Sequence, residues 1–115
     1  MSTATAWRTD QPLAERPLLD ADSSAQLARL FKLLGNPTRL RLLHALIRSD
    51  ELRVTDLAET IGATPQATSN QLQRLVDRRV VAAQRHGNEV RYHIIDCCTP
   101  GLIDLAMCLV AQQEG

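Results

Sequence analysis

The chain has 115 residues, 44% of them hydrophobic and only 3% aromatic, and its 13 basic residues balance 13 acidic ones. That is enough chain for one core, which Leu, Ala and Val must fill in place of Trp7, Phe31 and Tyr92, and such a core favours helices over an aromatic-rich β-sandwich. No apolar run nears the roughly 18–20 residues that span a bilayer, and the polar stretch Met1 to Asp22 lacks the basic and apolar regions of a secretory signal, so the expected location is cytoplasmic, with no membrane partner.

Residues 1–21, with Pro12 and Pro17 and few periodic apolar positions, read as a flexible arm. Asp22 or Ser23 can cap a first helix, in which Leu27, Leu30, Phe31 and Leu34 fall on one stripe. Gly35-Asn36-Pro37 stops it: Asn36 caps the next helix and Pro37 takes its first position. Leu40, Leu43, Ala45, Leu46 and Ile47 supply the apolar side of that second helix, with Arg39, Arg41 and Arg48 on its exposed side. Ser49-Asp50 is a turn, and Leu52 and Val54 suit a short extended piece. Thr55 can cap a third helix, with Leu57, Ala58 and Ile61 inward and Gly62 at its end. Thr64 caps the fourth, Pro65 opens it, and Gln66 to Asp77 continue it. The runs Val80–Arg85 and Val90–Ile95 flank the turn His86-Gly87-Asn88-Glu89, which predicts a hairpin. Thr99 and Pro100 cap and open a last helix, Gly101 to about Gln112, apolar over most of its girth. A terminal helix of that kind needs a cover, most simply a twin chain.

Two short helices joined by Gly62-Ala63-Thr64 make a helix-turn-helix, and the hairpin follows as a wing. The expected fold is mainly α with a small β-hairpin, a winged helix-turn-helix over 22–112, with the arm 1–21 before it and a tail 113–115 after it. The second helix of the pair carries Thr64, Gln66, Thr68, Ser69, Asn70, Gln71, Gln73 and Arg74 and has no acidic residue from Thr64 to Leu75. Such groups donate and accept at base edges and bond phosphate oxygens, although a Gln/Ser/Asn surface also suits plain solvation. At the hairpin tip, Arg85, His86, Asn88 and Arg91 face a minor groove or a phosphate on this reading. Between Arg29 and His93 there are 11 basic residues against 6 acidic ones, while both ends are net acidic. A basic middle with acidic flanks suits a domain that meets a polyanion with one face, and ordinary scatter gives the same pattern.

Leu33-Leu34-Gly35-Asn36-Pro37-Thr38-Arg39-Leu40-Arg41-Leu42-Leu43, Val54-Thr55-Asp56-Leu57-Ala58, Ser69-Asn70-Gln71-Leu72-Gln73-Arg74-Leu75 and Arg85-His86-Gly87-Asn88-Glu89-Val90-Arg91-Tyr92 together carry a resemblance to the ArsR/SmtB metal-sensing repressors. It runs from about 24 to 110. It implies a homodimer formed through the first and last helices, binding to double-stranded operator DNA without ligand, and release on binding an inducer. Asn70 departs from the His that many members carry there; Asn also reads adenine bidentately.

The inducer is argued position by position. Thiolate members carry Cys-x-Cys beside the third helix, where Arg53 and Thr55 stand here. Zinc members carry a pattern in the last helix whose first half matches Asp96 and Cys98 and whose second half falls on Leu109 and Gln112, which do not ligate zinc. What remains is Cys97, Cys98 and Cys108, an odd number of thiols confined to the last fifth of the chain, which argues against a disulfide scaffold. Ten residues of helix rise roughly 15 Å, so Cys108 meets the other two only across two antiparallel last helices. Three thiolates suit Cd(II), Pb(II), Hg(II) or trivalent arsenic better than Zn(II), Ni(II) or Co(II), and thiols at a helix N-terminus ionise more readily.

The first expectation is therefore a repressor released by a soft metal or metalloid bound at Cys97, Cys98 and Cys108, with no organic cofactor. A thiol-redox or reactive-sulfur sensor using the same residues, and a repressor with no metal inducer, stay open beside it. Cys108, between Met107 and Leu109, also suits plain interface packing. His93, on a strand near Cys97, is a further candidate ligand, whereas His44 reads as packed or surface. No Ser/His/Asp grouping, phosphate-cradling loop or paired acid/base carboxylates stand at a meaningful spacing, so the chain does not read as an enzyme. An interaction module that only dimerises through its last helix is the other class; it predicts no salt-dependent DNA binding.

Overall fold

The computed structural model describes Trp7 and residues 10–114. The chain divides into two compact units, Met1–Gly35 and Asn36–Gly115. In the first, a 3-10 turn spans Leu13–Glu15 and helix α1 spans Ala21–Leu34. The expected arm thus lies partly outside the described residues. The cap of α1 is Asp20, not Asp22 or Ser23: its carboxylate accepts the Ser23 N–H at 2.7 Å, so the helix starts earlier than the apolar stripe suggests. Along that stripe Leu34 is buried, Leu27 and Leu30 are half-buried, and Phe31 is 51% exposed.

The second unit begins with α2, Pro37–Ser49. Pro37 sits in its first turn, and the Asn36 side chain accepts the Arg39 N–H at 3.1 Å. Strand β1, Leu52–Arg53, runs straight into α3, Val54–Ile61, so Val54 is helical and Thr55 is not the cap. Arg53 has no side-chain acceptor; instead the Asp56 carboxylate reaches back toward the Arg53 N–H at 3.4 Å. Gly62 closes α3 at φ 71°, in the left-handed region where an L side chain is strained. Helix α4, Pro65–Asp77, is capped by the Thr64 hydroxyl, which accepts the Ala67 N–H at 3.1 Å.

Strands β2, Val81–His86, and β3, Glu89–Ile94, form the hairpin around Gly87-Asn88. Gly87 has φ 66°, at the position where a two-residue turn of type II′ calls for glycine. Among the described residues β1 adds a third strand, in the order β1-β3-β2, all antiparallel, with Leu52 opposite Tyr92, Arg53 opposite Arg91 and His86 opposite Glu89. Helix α5, Cys98–Glu114, begins before the expected Gly101. Asp96 rather than Thr99 satisfies its first turn, its Oδ1 accepting the N–H groups of Cys98 at 2.9 Å and Thr99 at 3.0 Å.

Leu42, Leu43 and Leu46 of α2, Leu57 and Ala58 of α3, Leu72 and Leu75 of α4, and Val80 and Val81 form the buried core of this unit. Helix α2 packs on α3, α4 and β3, and α4 packs on α3 and β2, so the helix pair and the wing share one core. Fully burying one such leucine stabilises the fold by about 1.5–3 kcal/mol. Among the described residues no helix is long and apolar enough to cross a membrane.

Candidate nucleic-acid interface and cysteine helix

The core fixes which side of α4 faces outward. Leu72 and Leu75 are fully buried, and Thr68 lies on the same stripe, at i and i+4 from Leu72. Thr68 is itself fully buried, and its Oγ1 has no hydrogen-bond partner, so it does not present a hydroxyl to DNA as expected. Thr64, Gln66, Asn70, Gln73 and Arg74 are exposed, and Ser69 and Gln71 are half-buried at the flanks. Four of the amides are already oriented. Gln66 Nε2 donates to Asn70 Oδ1 at 3.1 Å, and Gln73 Nε2 donates to Asp77 Oδ1 at 2.8 Å. Arg39 of α2 donates to Gln71 Oε1 at 2.7 Å, which turns the Gln71 amide nitrogen outward because a guanidinium has no acceptor. Arg41 bonds the Ile61 carbonyl at 3.0 Å and satisfies the end of α3.

The wing differs from the sequence expectation. Arg91 is not at the tip. It lies on β3 and donates to Glu89 at 3.0 and 3.3 Å, with Glu51 at 3.5 Å. His86 Nε2 stands 3.5 Å from Glu51. Arg53 bridges Asp56 at 3.0 Å and Glu89 at 3.2 Å. A chain of ionic and polar contacts therefore runs Asp56–Arg53–Glu89–Arg91–Glu51–His86 and ties the wing to the start of α3. The Arg53 hydrogen bonds hold Asp56 below its ordinary carboxylate value, and those of Arg91 do the same to Glu89. At the tip, Arg85 makes only a long bond to the Gly87 carbonyl, at 3.5 Å, and Asn88 is exposed. Arg85 and Asn88 thus have no carboxylate partner among the described residues, while Arg91 and His86 are held by carboxylates. Residue spacing gives no sign of this network, because Glu51 and Arg91 meet across 40 positions.

Cys97, Cys98 and Cys108 are all exposed, free thiols. Cys98 opens α5 and Cys108 lies ten residues on, about 15 Å along the axis. Among the described residues no three His, Cys, Asp or Glu side chains are grouped to hold a metal ion, so the thiols do not form a complete site within one chain. His93 does not join them in such a group; its Nδ1 is buried without a partner. The expected easier ionisation is reversed at Cys98: neighbouring Cys97 first, then Asp96, push its thiol above the ordinary value of 9.0. Cys98, Gly101, Leu105, Cys108 and Gln112 follow one i, i+3, i+7, i+10, i+14 stripe of α5. The buried Thr99 and Ile103 occupy the opposite side. Leu105 and Leu109 are 68% and 60% exposed, and α5 has no extensive contact with any other element of its own unit.

A profile of the MarR family matches residues 36–89, the helix pair and most of the wing. The HTH-type transcriptional regulator NmtR of Mycobacterium tuberculosis is 38% identical over 77% of this chain and 73% of its own length. The crystal structure of the AntR antimony-specific transcriptional repressor superposes with a TM-score of 0.77 at 47% identity, covering 94% of this chain and 96% of that one. The solution structure of a homodimeric winged helix-turn-helix DNA-binding domain from Mycobacterium bovis, described as a possible ArsR-family regulator, matches with a TM-score of 0.74 at 28% identity, over 88% and 93% of the two chains. Fold, relatives and the outward polar side of α4 agree: the chain belongs to the ArsR/SmtB family of winged helix-turn-helix DNA-binding transcriptional repressors.

Proposed function

We propose that this repressor acts as a homodimer that leaves its operator when a trivalent thiophilic metalloid, antimony or arsenic, binds Cys97 and Cys98 of one subunit together with Cys108 of the partner subunit. The observation that carries this reading is the single stripe Cys98-Gly101-Leu105-Cys108-Gln112 on an α5 that its own unit leaves largely uncovered. Crossing two such helices antiparallel, with the two-fold axis level with Ile103, pairs each position with the one that sums to the same midpoint. Cys98 then lies level with Cys108 of the partner subunit, and Gly101 lies level with Leu105, a small residue against a large one. Beyond its chain neighbours and the backbone of its own helix turns, no atom lies within 4 Å of where a Cβ at Gly101 would stand, so that position leaves room for a partner side chain.

The donor set is three sulfurs, the soft kind that favours thiophilic ions over zinc, nickel or cobalt. The similarity to an antimony-specific repressor over nearly the whole chain supports the same class. Trihydroxides of arsenic and antimony exchange with three thiols to give three As–S or Sb–S bonds and three waters. The inducer acts by favouring one dimer arrangement over another, and only an arrangement in which the two α4 helices match successive major grooves, about 34–36 Å apart, holds DNA. Thr64, Gln66, Ser69, Asn70, Gln71, Gln73 and Arg74 make the base and backbone contacts, and Arg85 and Asn88 of the wing reach the flanking phosphates.

The test is fluorescence anisotropy of the reduced protein on the DNA upstream of its own gene. Antimonite, arsenite, Cd(II), Pb(II), Hg(II) and Zn(II) are titrated separately, beside a Cys97/Cys98/Cys108→Ser control. Release by antimonite or arsenite that vanishes in the control supports the proposal. Release that survives in the control, or tight binding indifferent to every ion, overturns it.

A further inference from the structure

Helix α4 ends on Asp77, with Arg78 at its C-cap and Arg79 just beyond it. The Val80 N–H bonds the Leu75 carbonyl at 3.0 Å, and the Arg79 N–H bonds the Val76 carbonyl at 3.0 Å. These two bonds define a Schellman termination, whose residue beyond the cap must be left-handed and is usually glycine. Here it is arginine, at φ 61°. A long L side chain is strained in that region, and residues held there point to a use for the side chain. Within the chain the Arg79 side chain has none: it is exposed and makes no hydrogen bond or ion pair with any described residue. The side chains of Arg74 and Arg78 are likewise exposed and unpaired among the described residues. Three unneutralised guanidiniums therefore surround the C-terminal end of the helix that enters the groove. They contrast with Arg53 and Arg91, both clamped by carboxylates.

The dimensions match. Thirteen residues of α4 extend about 20 Å, whereas the major groove is about 12 Å wide. A helix that sets Gln66, Asn70 and Arg74 against base edges overhangs the groove at its far end, where the next polyanionic strand passes. We propose that Arg79, with Arg78 beside it, is a DNA-backbone contact, and that arginine stands in a left-handed position suited to glycine because it binds a phosphate. This rests on the DNA-binding reading of α4 and extends its footprint past the helix.

The opposed effects on fold and binding make the test. Arg79→Gly relieves the strain, so its thermal midpoint rises by a few degrees, while the affinity for duplex DNA falls several-fold. The loss is equal on the upstream DNA and on an unrelated duplex, because a phosphate contact carries no sequence information. The slope of log affinity against log salt becomes shallower by about one per protomer. Arg79→Lys keeps the charge and the strain, and it keeps most of the affinity and slope. Arg79→Asn tolerates the left-handed region but carries no charge, and it behaves as the glycine variant. An Arg79→Gly protein that binds with unchanged affinity and slope overturns the inference while leaving the repressor reading intact. Wild-type protein that binds no duplex at low salt overturns both.

Discussion

Thr68 offers the sharpest contrast between what α4 shows as a string of letters and what it is in the fold. Its hydroxyl is fully buried and has no partner, an arrangement that costs about 1–3 kcal/mol relative to a satisfied or absent group. Thr68→Val keeps the β-branch and the shape and removes only the unpaired hydroxyl. The buried neighbours on the same stripe, Leu72 and Leu75, are apolar and receive a methyl without rearrangement. The substitution therefore stabilises the protein by about 1–2 kcal/mol. For a domain of this size each kcal/mol moves the thermal midpoint by roughly 4 °C, so the expected rise is about 4–8 °C, read by circular dichroism at fixed protomer concentration. DNA affinity, read by anisotropy at constant salt, stays within about twofold. A Thr68→Val protein with an unchanged midpoint and tenfold weaker DNA binding refutes this reasoning and returns Thr68 to the interface.

Leu46→Ala opens a cavity where α2 meets the core, since Leu46 is only 1% exposed; it lowers stability by about 2–5 kcal/mol, measured by urea unfolding. Asp96→Ala removes the acceptor of the first turn of α5 and destabilises by about 1 kcal/mol, whereas Asp96→Asn, which keeps the acceptor, loses less. The ion chain on the wing makes a pH prediction. Asp56 and Glu89 are held below their ordinary values of 3.8 and 4.5, so their contribution is fully present above those values and is lost as pH falls through the depressed ones. Acid unfolding followed from pH 6 to pH 2 then shows a step that Glu89→Gln diminishes; equal acid sensitivity in the two proteins contradicts it.

The parts of the fold that the sequence reveals are those written locally. Asn36-Pro37 and Thr64-Pro65 join a side-chain acceptor to a residue pre-set for a first helical turn, and Gly62 and Gly87 hold positive φ where helix and hairpin must turn. Local reading fails where the partner is distant or unlike a cap. Arg53 starts α3 with no acceptor, because pairing of β1 with β3 and the Asp56 carboxylate set that boundary. The burial of Thr68 was available as periodicity, since it falls in step with Leu72 and Leu75, but a hydroxyl among amides reads as surface. Arg91 is held by Glu89, two residues away, and also meets Glu51, 40 residues away, a contact that no spacing rule reveals. In α5 nearly every turn is apolar, so only the folded unit, by burying Thr99 and Ile103, shows that Cys98 and Cys108 share the opposite side.

The central claim is that one inducer site takes sulfurs from two subunits, and subunit mixing tests it most directly. A Cys97→Ser/Cys98→Ser protein and a Cys108→Ser protein are each assayed alone on the upstream DNA with antimonite, then mixed to allow exchange and assayed again. Neither homodimer has a complete site, so the account predicts that each alone stays bound. The mixed dimer restores one site of two, and release by antimonite returns in the mixture. A response from either variant alone at wild-type antimonite concentrations, or a mixture shown to have exchanged that never responds, contradicts it.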